Sequence, residues 1–128
     1  MSFKKTIVST DKAPKAVGTY SQGVVHNGMY YFSGQIGLDA KTGVLGSTFD
    51  EQLANVLKNI DGLLESQGLD RTHILKTTIF LTDLADFPKV NEAYIQYFQE
   101  PYPARSTIQV AALPKGATVE IEVIAAKN

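Results

Sequence analysis

From Phe49 to Leu64 the apolar residues Phe49, Leu53, Val56, Leu57, Ile60, Leu63 and Leu64 return every three or four positions, which is the stripe of a helix with one buried face. Such a face has to be covered, and whatever covers it decides the architecture. Thr48 and Glu51 form a capping-box pattern at the start, and Gly68 suits the end. A second helix is predicted after Asp86, a residue able to cap it, with Phe87, Val90, Tyr94, Tyr97 and Phe98 on or near one side. Pro101 and Pro103 stop it and stiffen the entry to the next segment.

The remaining segments are strand-like. Asn27-Gly28 lies between Val24-Val25-His26 and Met29-Tyr30-Tyr31-Phe32, a strong hairpin signal because a type I′ turn needs positive φ at both central residues. The turn-rich run Asp39 to Gly43 leads away from that hairpin. Further strands are predicted at Leu75 to Thr82, Arg105 to Val110 and Thr118 to Ala126. The last alternates Val119, Ile121, Val123 and Ala125 with Glu120, Glu122, Ile124 and Ala126. The order is β-β-α-β-α-β-β, with room for an extra strand near Ile7.

Two helices cover one face of a five- or six-stranded sheet, yet these strands carry apolar or aromatic residues on both faces. The second face therefore requires a partner, and a homo-oligomer with sheets packed together is expected. The length of 128 residues suits a single domain over 1–128, and 44% apolar against 20% charged residues is the balance of a folded protein. Lys and Arg total 12 against 13 Asp and Glu, so no overall positive field is available for nucleic acid. There is no cysteine, which removes thiolate nucleophiles, disulfides and cysteine-ligated metals. The N-terminal segment lacks the apolar region of a signal peptide, and no run reaches the ~18–20 apolar residues of a membrane span. A cytoplasmic protein without a membrane partner is expected.

Glu120 and Glu122 share one face of what should be an interior strand, where a carboxylate is costly unless paired, protonated or hydrated in a cleft. Arg105 follows Pro101-Tyr102-Pro103-Ala104, on the same face of its strand as Thr107. Its planar fork matches a substrate carboxylate, though it could equally pair with Glu120 or Glu122. Tyr20, Ser21 and Gln22 lead into the hairpin, and Ser33-Gly34-Gln35 close it. Loop positions of this kind often hold small ligands, and Gly34 would let a backbone N–H approach one. His26 and His73 read as turn and loop residues without metal spacing. No P-loop or G-x-S-x-G elbow occurs, and no metal or cofactor is indicated.

Over nearly its whole length the sequence resembles the RidA family, also called the YjgF family. The matching pieces are Ala13-Pro14, Gly18-Thr19-Tyr20-Ser21-Gln22-Gly23, Ser33-Gly34-Gln35-Ile36, Lys76-Thr77-Thr78, Val90-Asn91, Pro103-Ala104-Arg105-Ser106, Ala111-Ala112-Leu113-Pro114-Lys115 and Val119-Glu120-Ile121-Glu122. The resemblance implies a chorismate-mutase-like α+β fold, a mixed sheet with two helices on one face, assembled as a homotrimer with clefts between subunits. It also implies hydrolysis of 2-iminopropanoate and 2-iminobutanoate to keto acids and ammonia, which protects pyridoxal-phosphate enzymes. By position, Arg105 resembles the residue that clamps the substrate carboxylate, and Glu120 the one that orients and activates water. Tyr20, Ser33, Gly34, Asn91 and Thr107 match positions lining the cleft. Thr107 stands where many active members have Cys, and Thr19 where Pro is usual. Two other classes stay in view: a ribonuclease or translation inhibitor, and a non-catalytic module that senses small acids.

Overall fold

The computed structural model describes residues 3–128. Seven strands, β1 (Thr6–Val8), β2 (Gly23–His26), β3 (Met29–Phe32), β4 (Gln35–Ile36), β5 (Ile74–Leu81), β6 (Ala104–Gln109) and β7 (Val119–Ala126), form one sheet with α1 (Phe49–Ser66) and α2 (Phe87–Tyr97). The order across the sheet is β1-β2-β3-β7-β5-β6, with β4 also paired to β7. Among the described residues only β5 and β6 run parallel; the other pairings are antiparallel. The sheet is mixed, as expected, because the β5–α2–β6 crossover returns the chain in the same direction while hairpins and longer loops reverse it elsewhere.

The hairpin forms at Asn27 and Gly28, with φ of 50° and 76°, and it pairs His26 with Met29. His26 is thus the last residue of β2, not a turn residue. His73 lies in a single 3₁₀ turn, Arg71–His73, that leads into β5. The strand near Ile7 is β1, whereas β4 was not anticipated, since two residues carry no periodicity. Buried Gln22 holds the approach to β2 in place: its amide accepts from the Thr10 N–H and donates to the Thr10 and Pro14 carbonyls.

Thr48 caps α1 by accepting the Glu51 N–H. The Glu51 carboxylate does not return to Thr48 as a capping box would; it takes the Ser47 N–H and hydroxyl instead. At the other end Gly68 has φ of 69°, the left-handed conformation of a helix stop. Asp86 departs from expectation more clearly. It sits at the N-cap of α2 with helical φ and ψ and makes no capping bond, because a capping side chain needs an extended backbone. The bond is made one turn earlier, where Asp83 accepts the Ala85 N–H of the short turn Leu84–Asp86.

Both helices cover one face of the sheet. Val56, Ile60, Leu63 and Leu64 of α1 and Val90 and Tyr94 of α2 bury against Val119, Ile121, Val123 and Ala125 of β7 and Ile79 and Leu81 of β5. None of the described helices covers the opposite face. Cross-strand register lines up Ile7, Val24, Tyr31 and Ile124 in one row, and Ile36, Glu120, Phe80 and Ile108 in another. Ile7, Tyr31 and Ile108 are 48%, 50% and 47% exposed, so an apolar surface of the kind that marks an interface crosses the whole sheet. No helix among the described residues is long and apolar enough to cross a membrane.

Candidate active site

The register decides where each candidate side chain points. Arg105 is paired with Thr77, which is buried under the helices, and Thr107 with buried Ile79. Arg105 and Thr107 therefore stand on the helix side of β6, at the sheet's edge. Glu120 pairs with Ile36 and Phe80 on the bare side. With β5 between β6 and β7, Arg105 and Glu120 do not meet within one chain, and the expected alternative of an Arg105 ion pair with Glu120 or Glu122 is not formed among the described residues.

Arg105 is held by α2. Its Nη1 donates to Asn91 Oδ1 at 2.6 Å, and its guanidinium carbon lies 4.9 Å from the centre of the Phe87 ring and 5.5 Å from that of Tyr94. Its other N–H donors have no acceptor among the described residues. Asn91, matched by resemblance to a cleft-lining position, bonds Arg105, and the sequence marks Phe87 and Tyr94 only as members of an apolar stripe. A signal was present: a polar Asn91 interrupts that stripe in line with both rings. Tyr94 is fixed by donating to Thr77 Oγ1 at 2.9 Å, and burial raises its hydroxyl to a pKa of about 12. Thr107 Oγ1 is buried without a hydrogen-bond partner among the described residues, an unusual state for a side-chain hydroxyl.

The second group gathers on the bare side. Glu120 is half-buried in its apolar row, and no hydrogen bond lowers its carboxyl. Burial first, and the neighbouring Glu122 charge second, push its pKa above the ordinary glutamate value. Gly34 approaches so closely that a Cβ there would overlap the Glu120 carboxylate, so only glycine leaves that carboxylate where it stands. Ser33 donates its hydroxyl to the Ser21 carbonyl at 2.6 Å and its N–H to the Gln22 carbonyl at 2.9 Å, tying this corner to the Tyr20–Gln22 loop. Tyr20 is 54% exposed and not part of the core, its hydroxyl accepting the Val17 N–H.

The structure thus arranges the seven predicted residues in two groups: Arg105, Asn91 and Thr107 at one edge, and Tyr20, Ser33, Gly34 and Glu120 at the β4–β7 corner. A broad hollow of about 1450 Å³ beside α1 contains none of them. Its arginine, Arg71, is already neutralised by two bonds to Asp61, at 3.0 and 2.8 Å. No group of three or more His, Asp or Glu side chains among the described residues could hold a metal ion.

The family profile described as Endoribonuclease L-PSP matches residues 10–127, and the chain belongs to that family, the one whose members are also called RidA or YjgF. It is 47% identical over 125 residues to the human 2-iminobutanoate/2-iminopropanoate deaminase, covering 97% of this chain and 91% of the relative. Among solved structures it is similar to RidA from the Antarctic bacterium Psychrobacter, at 46% identity and a TM-score of 0.93 over 95% of this chain and 99% of the other. It also resembles E. coli TdcF with bound serine, at 41% identity and a TM-score of 0.91 over 96% and 99% of the two chains.

Proposed function

We propose that the chain is an imine deaminase that hydrolyses 2-iminopropanoate and 2-iminobutanoate to 2-oxo acids and ammonia, working as a homotrimer with its sites between subunits. The observation that carries this reading is the state of Arg105: a guanidinium oriented by α2 and lacking any carboxylate partner among the described residues. An uncompensated, pre-positioned fork is a receptor for a planar acid. The human relative's name supplies the substrate class, and TdcF with bound serine supports a site for a small amino or imino acid.

The two groups lie on opposite sides of one sheet, and the bare apolar face supplies the surface that would bring a neighbour's group alongside. In the joined cleft Arg105 of one subunit grips the acid end. The iminium carbon is already electrophilic, so the chemistry needs an oriented water and a proton relay. Glu120, with its raised pKa, accepts a proton from water as the oxygen attacks the C=N carbon. It returns the proton to nitrogen, and the carbinolamine then collapses to the keto acid with loss of ammonia. Thr107, with its unsatisfied hydroxyl, and the Gly34 backbone complete the walls. Thr107 in place of a thiol is no obstacle, since no covalent intermediate is required.

Release of keto acid from an imine generated in situ by an amino acid oxidase tests the reading. Wild type should accelerate it, and Arg105→Ala should lose on the order of 100-fold in kcat/KM. No acceleration, or full activity in Arg105→Ala, would refute the proposal. RNA cleavage is the second reading, favoured by the family's own description. The net charge of -1 and an acidic side chain in the cleft oppose it. Salt-dependent RNA binding that survives in Arg105→Ala would revive it.

A further inference from the structure

Among the described residues two arginines stack on aromatic rings, and they differ in one respect. Arg71 lies 3.8 Å from the centre of the Tyr97 ring but gives two N–H bonds to Asp61 and one to the Tyr97 carbonyl. Its charge is neutralised and three of its N–H donors are taken, so that stack fastens α2 to α1. Arg105 has the rings and an amide, without the carboxylate.

The residues that hold it lie along a single stripe of α2, at positions 87, 91 and 94. Tyr94 is itself immobilised: its hydroxyl is bonded to Thr77, and its ring packs edge-on against Phe98 at 5.0 Å. Thr77 in turn is the residue of β5 paired with Arg105 in the sheet. The contacts close a ring from β6 through β5 and α2 back to β6. A long arginine side chain normally loses rotamer freedom when it grips an anion, and this one has lost much of it beforehand.

We propose that Phe87 and Tyr94 are positioning residues for the acid clamp. Their rings, with Asn91, fix the Arg105 guanidinium so that its unbonded N–H edge faces an incoming carboxylate, and α2 thereby sets affinity for the acid through Arg105. This rests on the reading of Arg105 as the carboxylate clamp. It makes the aromatic character at positions 87 and 94 a determinant of KM, separate from the reacting end of the substrate, which Glu120 serves.

The test pairs steady-state kinetics with side-chain NMR of Arg105 on the full-length oligomer, using 2-oxobutanoate as the binding probe. Phe87→Leu and Tyr94→Leu keep apolar bulk but remove the ring face. Each should raise KM and weaken 2-oxobutanoate about three- to tenfold, a typical worth for a partly exposed cation–π contact, with kcat nearly unchanged and a lowered order parameter at Arg105 Nε–H. Tyr94→Phe keeps the ring face and loses only the hydroxyl's bond to Thr77, so its KM and its Arg105 order should fall between those of wild type and Tyr94→Leu. Unchanged KM in both leucine variants, or a raised KM with Arg105 as ordered as in wild type, would overturn the positioning role. If Arg105→Ala itself binds 2-oxobutanoate as tightly as wild type, the clamp reading falls and this proposal falls with it.

Discussion

Arg105 and Glu120 stand on opposite faces of one sheet, with β5 between the strands that carry them. Any chemistry using both must take place between copies of the chain, and the bare apolar rows through Tyr31 and Ile108 lie where such a copy would pack.

The carboxyl of Glu120 is raised by burial and by Glu122, so its ionised form is disfavoured in the folded state. That cost is full once pH exceeds the raised folded-state value and disappears as pH falls below the ordinary glutamate value of 4.5. Glu120→Gln is therefore expected to be more stable than wild type near neutrality and to lose that advantage on acidification, measured by denaturant melts across pH. In the wild type kcat/KM should fall with an acid limb lying above 4.5, and the limb should be absent from the residual activity of Glu120→Gln.

Gly34→Ala places a methyl group against the Glu120 carboxylate. The carboxylate is a side-chain terminus and can swing aside, so the fold should tolerate the change. Its aim at the water should not survive, and turnover is expected to drop on the order of 10- to 100-fold. Near-normal kcat in this variant would show that the position of Glu120 is not critical.

Thr107→Val should separate stability from activity. Removing a buried hydroxyl without a partner, at nearly equal volume, is expected to leave stability unchanged or raise it by about 1 kcal/mol. If the hydroxyl binds the ligand as proposed, affinity for 2-oxobutanoate should fall. A thermal melt and a calorimetric titration on the same sample check both halves.

What could be read from the sequence was whatever local periodicity encodes. The stripe from Phe49 to Leu64 and the alternation from Val119 to Ala126 each specify an element and its buried face, and Asn27-Gly28 specifies a turn, because each signal acts over a few residues. The strand at Gln35–Ile36 had no such signal, and its pairing with β7 is a tertiary choice. Asp86 had the right chemistry for a cap, but the preceding 3₁₀ turn fixed its backbone in a helical conformation. Alternation placed Arg105 with Thr107 and Glu120 with Glu122. It could not say that the two pairs face opposite sides, since that depends on the register across β5. For the same reason Phe87 and Tyr94 read as core until β6 was seen to bring Arg105 against them.

The most direct measurement is activity in mixed oligomers of Arg105→Ala and Glu120→Gln, each nearly inactive alone. If every site takes its arginine from one subunit and its glutamate from a neighbour, dissociating and reassociating an equal mixture should return activity to about a quarter of the wild-type level, because a quarter of random pairings restore both groups. Mixtures that stay as inactive as their parents, after subunit exchange is verified by mass, would contradict it.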